Sequence, residues 1–134
     1  MNFGLHESKG ILFYDVMSDN RPKLIVKIDP GIYLLYRHLI PKTQQFNPQK
    51  YSPHISVVRN EIPLNMNNWG KHEKKEIVFL YNSNVQKGEK YIWLNAYSLD
   101  LENIRSELGL KNDLYEKTHP NYIKTFHITL GNLK

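Results

Sequence analysis

The chain contains no cysteine. That excludes disulfides, thiolate metal sites and a cysteine nucleophile, and it leaves the redox compartment unspecified. Long apolar runs are missing too. The longest, Ile32–Tyr36 and Ile77–Tyr81, fall far short of the ~20 residues that a membrane span requires. The opening residues MNFGLHESKG lack the basic-then-apolar build of a secretory leader; a cytoplasmic protein is therefore expected. No phosphate-binding P-loop or dinucleotide glycine pattern occurs. His72-Glu73 does not open an H-E-x-x-H zinc motif, because position 76 is Glu76. No metal and no cofactor is expected.

What is present is an ordinary globular balance, 40% hydrophobic and 23% charged over 134 residues. This predicts one domain, 1–134, with a real core. The net charge of +5 favours an anionic partner such as a nucleotide or RNA, although solubility alone accounts for the same excess in many proteins.

The order of elements repeats. Residues 10–18 read as a strand, Ser18–Lys23 as a turn and Leu24–Ile28 as a second strand. Asp29-Pro30 supplies an N-cap and a first-turn proline. Ile32, Leu35, Tyr36 and Leu39 then give the apolar stripe of a helix that Pro41 ends. A polar loop over Thr43–Lys50 leads to a strand over His54–Arg59. The second half reads the same way: strands over Glu76–Tyr81 and Tyr91–Tyr97, a helix carrying Leu101, Ile104 and Leu108 with Gly109 as its C-cap, a loop over Lys111–Asn121, and a strand over Tyr122–Leu130. Two repeats, about 10–60 and 76–131, each read strand–strand–helix–strand and end on a histidine-bearing strand.

Those last strands carry His54-Ile55-Ser56 and His127-Ile128-Thr129. On a strand, residues i and i+2 share a face. Each tripeptide thus presents an imidazole and a hydroxyl together while its isoleucine enters the core. An imidazole exchanges protons near neutral pH, and a hydroxyl donates to a phosphoryl oxygen. Two such strands supply a base, an acid and two phosphate donors. H-x-[S/T] alone is a weak signal, and His6-Glu7-Ser8 also fits it; that copy lacks the preceding hairpin and helix and is read as a decoy. Two surface histidines on amphipathic strands are the plain alternative.

The segments Pro53-His54-Ile55-Ser56-Val57-Val58-Arg59 and Phe126-His127-Ile128-Thr129-Leu130-Gly131 resemble the paired signature strands of the two-histidine (2H) phosphoesterase superfamily. The segment Pro30–Arg37 and the small size are most similar to its bacteriophage members. Many relatives have proline before the second histidine, where this chain has Phe126; that position sets strand entry and does no chemistry. The resemblance covers nearly the whole chain. It implies an α+β, bilobal 2H phosphoesterase-like fold, with two pseudo-symmetric ββαβ halves and antiparallel sheets around a central cleft. It further implies that His54 and His127 are catalytic and that Ser56 and Thr129 grip phosphate. The expected activity is metal-independent cleavage of 3′–5′ phosphodiesters in small, cyclic oligonucleotides, as in phage enzymes that degrade bacterial antiviral signals in the host cytoplasm. The alternatives are an RNA-end 2′,3′-cyclic phosphodiesterase, a 2′–5′ linkage-processing enzyme, and a catalytically idle nucleotide- or RNA-binding module.

Five further residues are candidate substrate contacts. Trp93 and Tyr91 share one strand face with Asn95 and Tyr97; an aromatic stripe is more often packing, yet exposed rings can stack bases. Trp69 lies in a polar stretch and either caps the cleft or packs on the domain edge. Arg59 and Lys124 are at odd spacings from the histidines, so strict alternation turns them to the other face. His38 reads as structural, and His72 and His119 as solvated loop residues. Oligomeric state is left open.

Overall fold

A computed structural model describes residues 4–16, 19–39, 46–48, 52–112 and 120–133. Eight strands and two α-helices follow in the order β1 (Leu5–Val16), β2 (Pro22–Ile28), α1 (Pro30–Leu39), β3 (Phe46–Pro48), β4 (His54–Val58), β5 (Glu76–Asn82), β6 (Gln86–Lys87), β7 (Tyr91–Tyr97), α2 (Leu99–Glu107) and β8 (Phe126–Leu133). The protein is α+β, and its strand pairs are antiparallel. The sheet runs β3-β8-β4-β2-β1-β5-β7-β6, and β8 also pairs with β7. That extra pairing closes β8, β4, β2, β1, β5 and β7 into a six-stranded barrel. Within the ring the halves are therefore joined edge to edge at β1/β5 and at β4/β8, and β3 adds a further pairing against β8.

Period-two alternation builds the core. Leu12, Leu24, Val26, Ile55, Ile77, Phe79, Ile92, Leu94 and Ile128 are buried and join the inner faces of both helices in one continuous cluster. Helix α1 starts as its sequence predicts: the Asp29 carboxylate accepts from the Gly31 amide at 2.8 Å. Its buried face differs from the expected stripe. Ile32, Tyr33 and Tyr36 are buried and Leu35 is 56% exposed; Tyr33, rather than Leu35, fills the position facing the sheet. Helix α2 is capped by Ser98, whose Oγ accepts from the Leu101 amide and donates to the Val78 carbonyl. Gly109 ends it at φ +76°, as a left-handed C′ residue should.

Three boundaries move. β1 begins at Leu5, earlier than position 10, because Leu5–Ile11 pair with β5. The expected loops hold short edge strands, β3 against β8 and β6 against β7. β8 begins at Phe126 and runs to Leu133, so Tyr122 and Lys124 precede the strand and alternation does not apply to them. Pro41 and His119 lie outside the described residues.

One buried cation fastens α2 to the end of β4. Arg105 is 2% exposed, and all five of its N–H groups find acceptors. They reach both carboxylate oxygens of Glu61, the carbonyls of Val57 and Lys111, and the Asn112 side chain, at 2.6–3.1 Å. The guanidinium hydrogen bonds hold the Glu61 carboxyl below its ordinary pKa. Glu102, also buried, accepts from the Ile123 amide at 3.2 Å and so steadies the approach to β8.

Candidate active site at the seam of the barrel

The two motif strands are neighbours. β4 and β8 pair through Ile55 and Ile128, and both isoleucines are 0% exposed. Continuing that antiparallel register sets His54 opposite Thr129 and Ser56 opposite His127 on the other face. On the far side of β8, Trp93 pairs with Thr129 and Asn95 with His127. On the far side of β4, Lys27 pairs with His54 and Ile25 with Ser56. The result is a four-strand platform with two rows, Trp93–Thr129–His54–Lys27 and Asn95–His127–Ser56–Ile25. Directly opposed residues on antiparallel strands share a face. The two histidines are diagonal neighbours, a relation that places backbone positions about 7–8 Å apart. Imidazoles on such positions can converge on one phosphate-sized group.

Each polar group on the platform has a defined environment. His54 Nδ1 lies 2.8 Å from the Ser52 carbonyl oxygen. A carbonyl only accepts, so Nδ1 carries hydrogen and Nε2 is the nitrogen left for proton exchange. His127 is solvent-exposed by area, yet burial by surrounding protein is the main cause that pushes its pKa below the usual imidazole range, with the Lys124 charge adding to the fall. Its ring meets Trp93 at a centroid separation of 5.3 Å and an angle of 47°. Trp93 Nε1 donates to Asn95 Oδ1 at 2.9 Å. Because an indole N–H only donates, the partner atom must be the amide oxygen, and the Asn95 NH₂ faces away. Ser56 and Thr129 are half-buried.

The further candidates separate. Tyr91 stands at the platform edge opposite Asn132 and is 51% exposed, which suits a stacking ring. Trp93 is engaged on both flanks: His127 lies on one, and a Cβ at Gly88 would stand 3.0 Å from its Cζ3 on the other. Its indole packs on the His127 ring and donates to Asn95. Trp69 is not at the platform; it packs edge-on against Tyr14, centroids 5.0 Å apart, beside the core. Arg59 is exposed beyond the end of β4, past the buried Val57 and Val58, a strand length from His54. Lys124 is half-buried near Arg105 and Glu61, 5.4 Å over the Phe126 ring, and it reaches the site through its field on His127. Burial pushes the Lys124 pKa down.

His72, expected as a solvated loop residue, is instead held by Glu107 at 2.9 Å. His6, the decoy, packs its ring against Tyr81 at 5.2 Å. Sequence reading missed two members of the platform, Asn95 as a fixed amide and Lys27. Only strand pairing brings Lys27 to His54, and no sequence spacing signals it.

No known family model, characterised protein or solved structure matches the chain. No helix among the described residues is long and apolar enough to cross a membrane.

Proposed function

We propose that the chain is a metal-independent phosphodiesterase that cleaves 3′–5′ linkages of small oligonucleotides by paired histidine acid–base catalysis. The observation that carries this reading is the Ile55–Ile128 pairing, which sets each motif histidine opposite the other motif's hydroxyl. In this mechanism neutral His127, its pKa depressed, takes the proton from the attacking water or ribose 2′-hydroxyl. Protonated His54 gives the proton on Nε2 to the leaving oxygen, while its Nδ1–H stays on the Ser52 carbonyl. Ser56 and Thr129 donate to the non-bridging oxygens as negative charge builds.

The two-lobed 2H-type reading of the fold belongs to the same proposal. Its support is connectivity: leaving out the short β3 and β6, each half reads strand–strand–helix–strand. Exchanging β1 with β5, β2 with β7 and β4 with β8 preserves every neighbour in the ring. The substrates that fit the phage-like resemblance are cyclic oligonucleotides used as antiviral signals.

The test is turnover, in EDTA, of cyclic di- and trinucleotides, 2′–5′ oligoadenylate and 2′,3′-cyclic nucleotides. Cleavage of a cyclic oligonucleotide is expected, with His54→Ala and His127→Ala each lowering kcat by about 10²–10⁴-fold at unchanged Tm. Cleavage confined to 2′,3′-cyclic ends or 2′–5′ linkages would move the assignment to RNA-end processing. Binding without any turnover would make the chain a nucleotide-binding module.

A further inference from the structure

Lys27 is the cation nearest His54 in the register of the sheet. It projects between the buried Val26 and Ile28, hence onto the platform face. Its ammonium rests 4.3 Å from the centroid of the Phe13 ring. Phe13 pairs with Ile25, the residue that ends the second row of the platform. The Lys27 side chain therefore lies across β2 toward β1 and slants from the first row to the second, away from the β4/β8 seam. On the neighbouring strand Lys9 pairs with Glu76. Among the described residues Lys27 has no carboxylate partner. An aromatic face holds a cation in place without cancelling its charge.

A phosphate bound over the β4/β8 seam would be handled by His54, His127, Ser56 and Thr129. Lys27 sits beyond that set, with its charge about two strand spacings from the seam, roughly 10 Å. That is too far for the same phosphoryl group and is suited to the next anionic group along a nucleotide chain. We infer that Lys27, perched on Phe13, forms a subsite for a second phosphate flanking the scissile one, so that the preferred substrate carries more than one phosphate. This rests on the phosphodiesterase reading and narrows its substrate class: oligonucleotides, linear or cyclic, over 2′,3′-cyclic mononucleotides or lone diesters.

The test compares two ligands with a phosphorothioate in place of the internal linkage, ApA and the same dinucleotide phosphorylated at both ends, pApAp. Binding to the intact protein is followed by calorimetry at low ionic strength. The expected result is tighter binding of pApAp, with Lys27→Ala weakening pApAp about fivefold and ApA hardly at all. The fall of pApAp affinity with rising salt should be shallower in Lys27→Ala, and Lys27→Arg should retain both the affinity and the salt dependence. Equal weakening of both ligands, or no change in either, would overturn the subsite and leave the phosphodiesterase reading standing. Failure of the unsubstituted protein to bind either ligand would overturn both.

Discussion

Two regions of the molecule concentrate polar side chains, and they use them in opposite ways. Around the C-terminal end of α2, Arg105 spends all five N–H groups on Glu61, Val57, Lys111 and Asn112. His72 there is bonded to Glu107, and Asn65 and Asn68 donate to the Glu107 carbonyl. On the platform, one end of each group is anchored and the other is open: Nδ1 of His54 is held and Nε2 is not, and the Asn95 oxygen is held and its NH₂ is not. A polar group whose partners all lie inside the fold stabilises it and has nothing left for a ligand. A group anchored at one end has already given up its rotational freedom and can meet a ligand at little further entropic cost.

Substitutions can break this contrast, and the largest effect belongs to the α2 end. Arg105→Ala leaves two carbonyls and the partly exposed Glu61 carboxylate without their donor, and each buried acceptor left unsatisfied costs about 1–3 kcal/mol. Denaturant unfolding should show that loss. Protein that still folds at low temperature should keep the pH profile of the proposed activity, whereas the platform variants should lose turnover and keep stability.

A smaller effect sharpens the electrostatic side. The lowered pKa of His127 means that the unfolded chain binds a proton there more readily than the folded one. Stability from this group is therefore unaffected well above pH ~6.5 and falls as acid is added below it. The acid limb of kcat/KM should likewise lie below the ordinary imidazole range. Lys124→Gln removes one of the two causes of the shift and should move the limb upward, and an NMR titration of the His127 ring reads the same movement without turnover. An unmoved titration would detach Lys124 from the site.

The smallest effect is expected at His72. Its bond to Glu107 joins a half-buried ring to a partly exposed carboxylate, so His72→Ala should cost under about 1 kcal/mol and leave activity unchanged. A loss of activity there would dissolve the distinction between the two regions.

The strand–strand–helix–strand order and both histidine tripeptides were legible in the sequence because alternation and capping are local. Ser56 and Thr129 followed from the i, i+2 rule alone. The closure of the sheet was not legible: antiparallel pairing between β7 and β8 and between β4 and β8 joins segments that no local pattern connects. For the same reason Lys27 and Asn95 could not be assigned, since each reaches the site across a strand boundary. Trp69 left two readings open, the cleft and the domain edge, and the structure takes the second: the short helical turn Met66–Asn68 folds the ring back onto Tyr14. Leu35 misled because helical spacing allowed two stripes one residue apart, and the sheet accepted the one containing Tyr33.

The place of β8 in the ring has a consequence for when the platform is assembled. This strand lies between β7 and β4, so it brings His127 and Thr129 and sets them opposite Ser56 and His54. Such distant pairings are entropically late events in folding. A chain with its first half structured and β8 not yet inserted holds an imidazole and a hydroxyl but no acid–base couple. If the proposed acid–base couple operates, it exists only once the ring is shut, and a chain lacking β8 is expected to show no turnover.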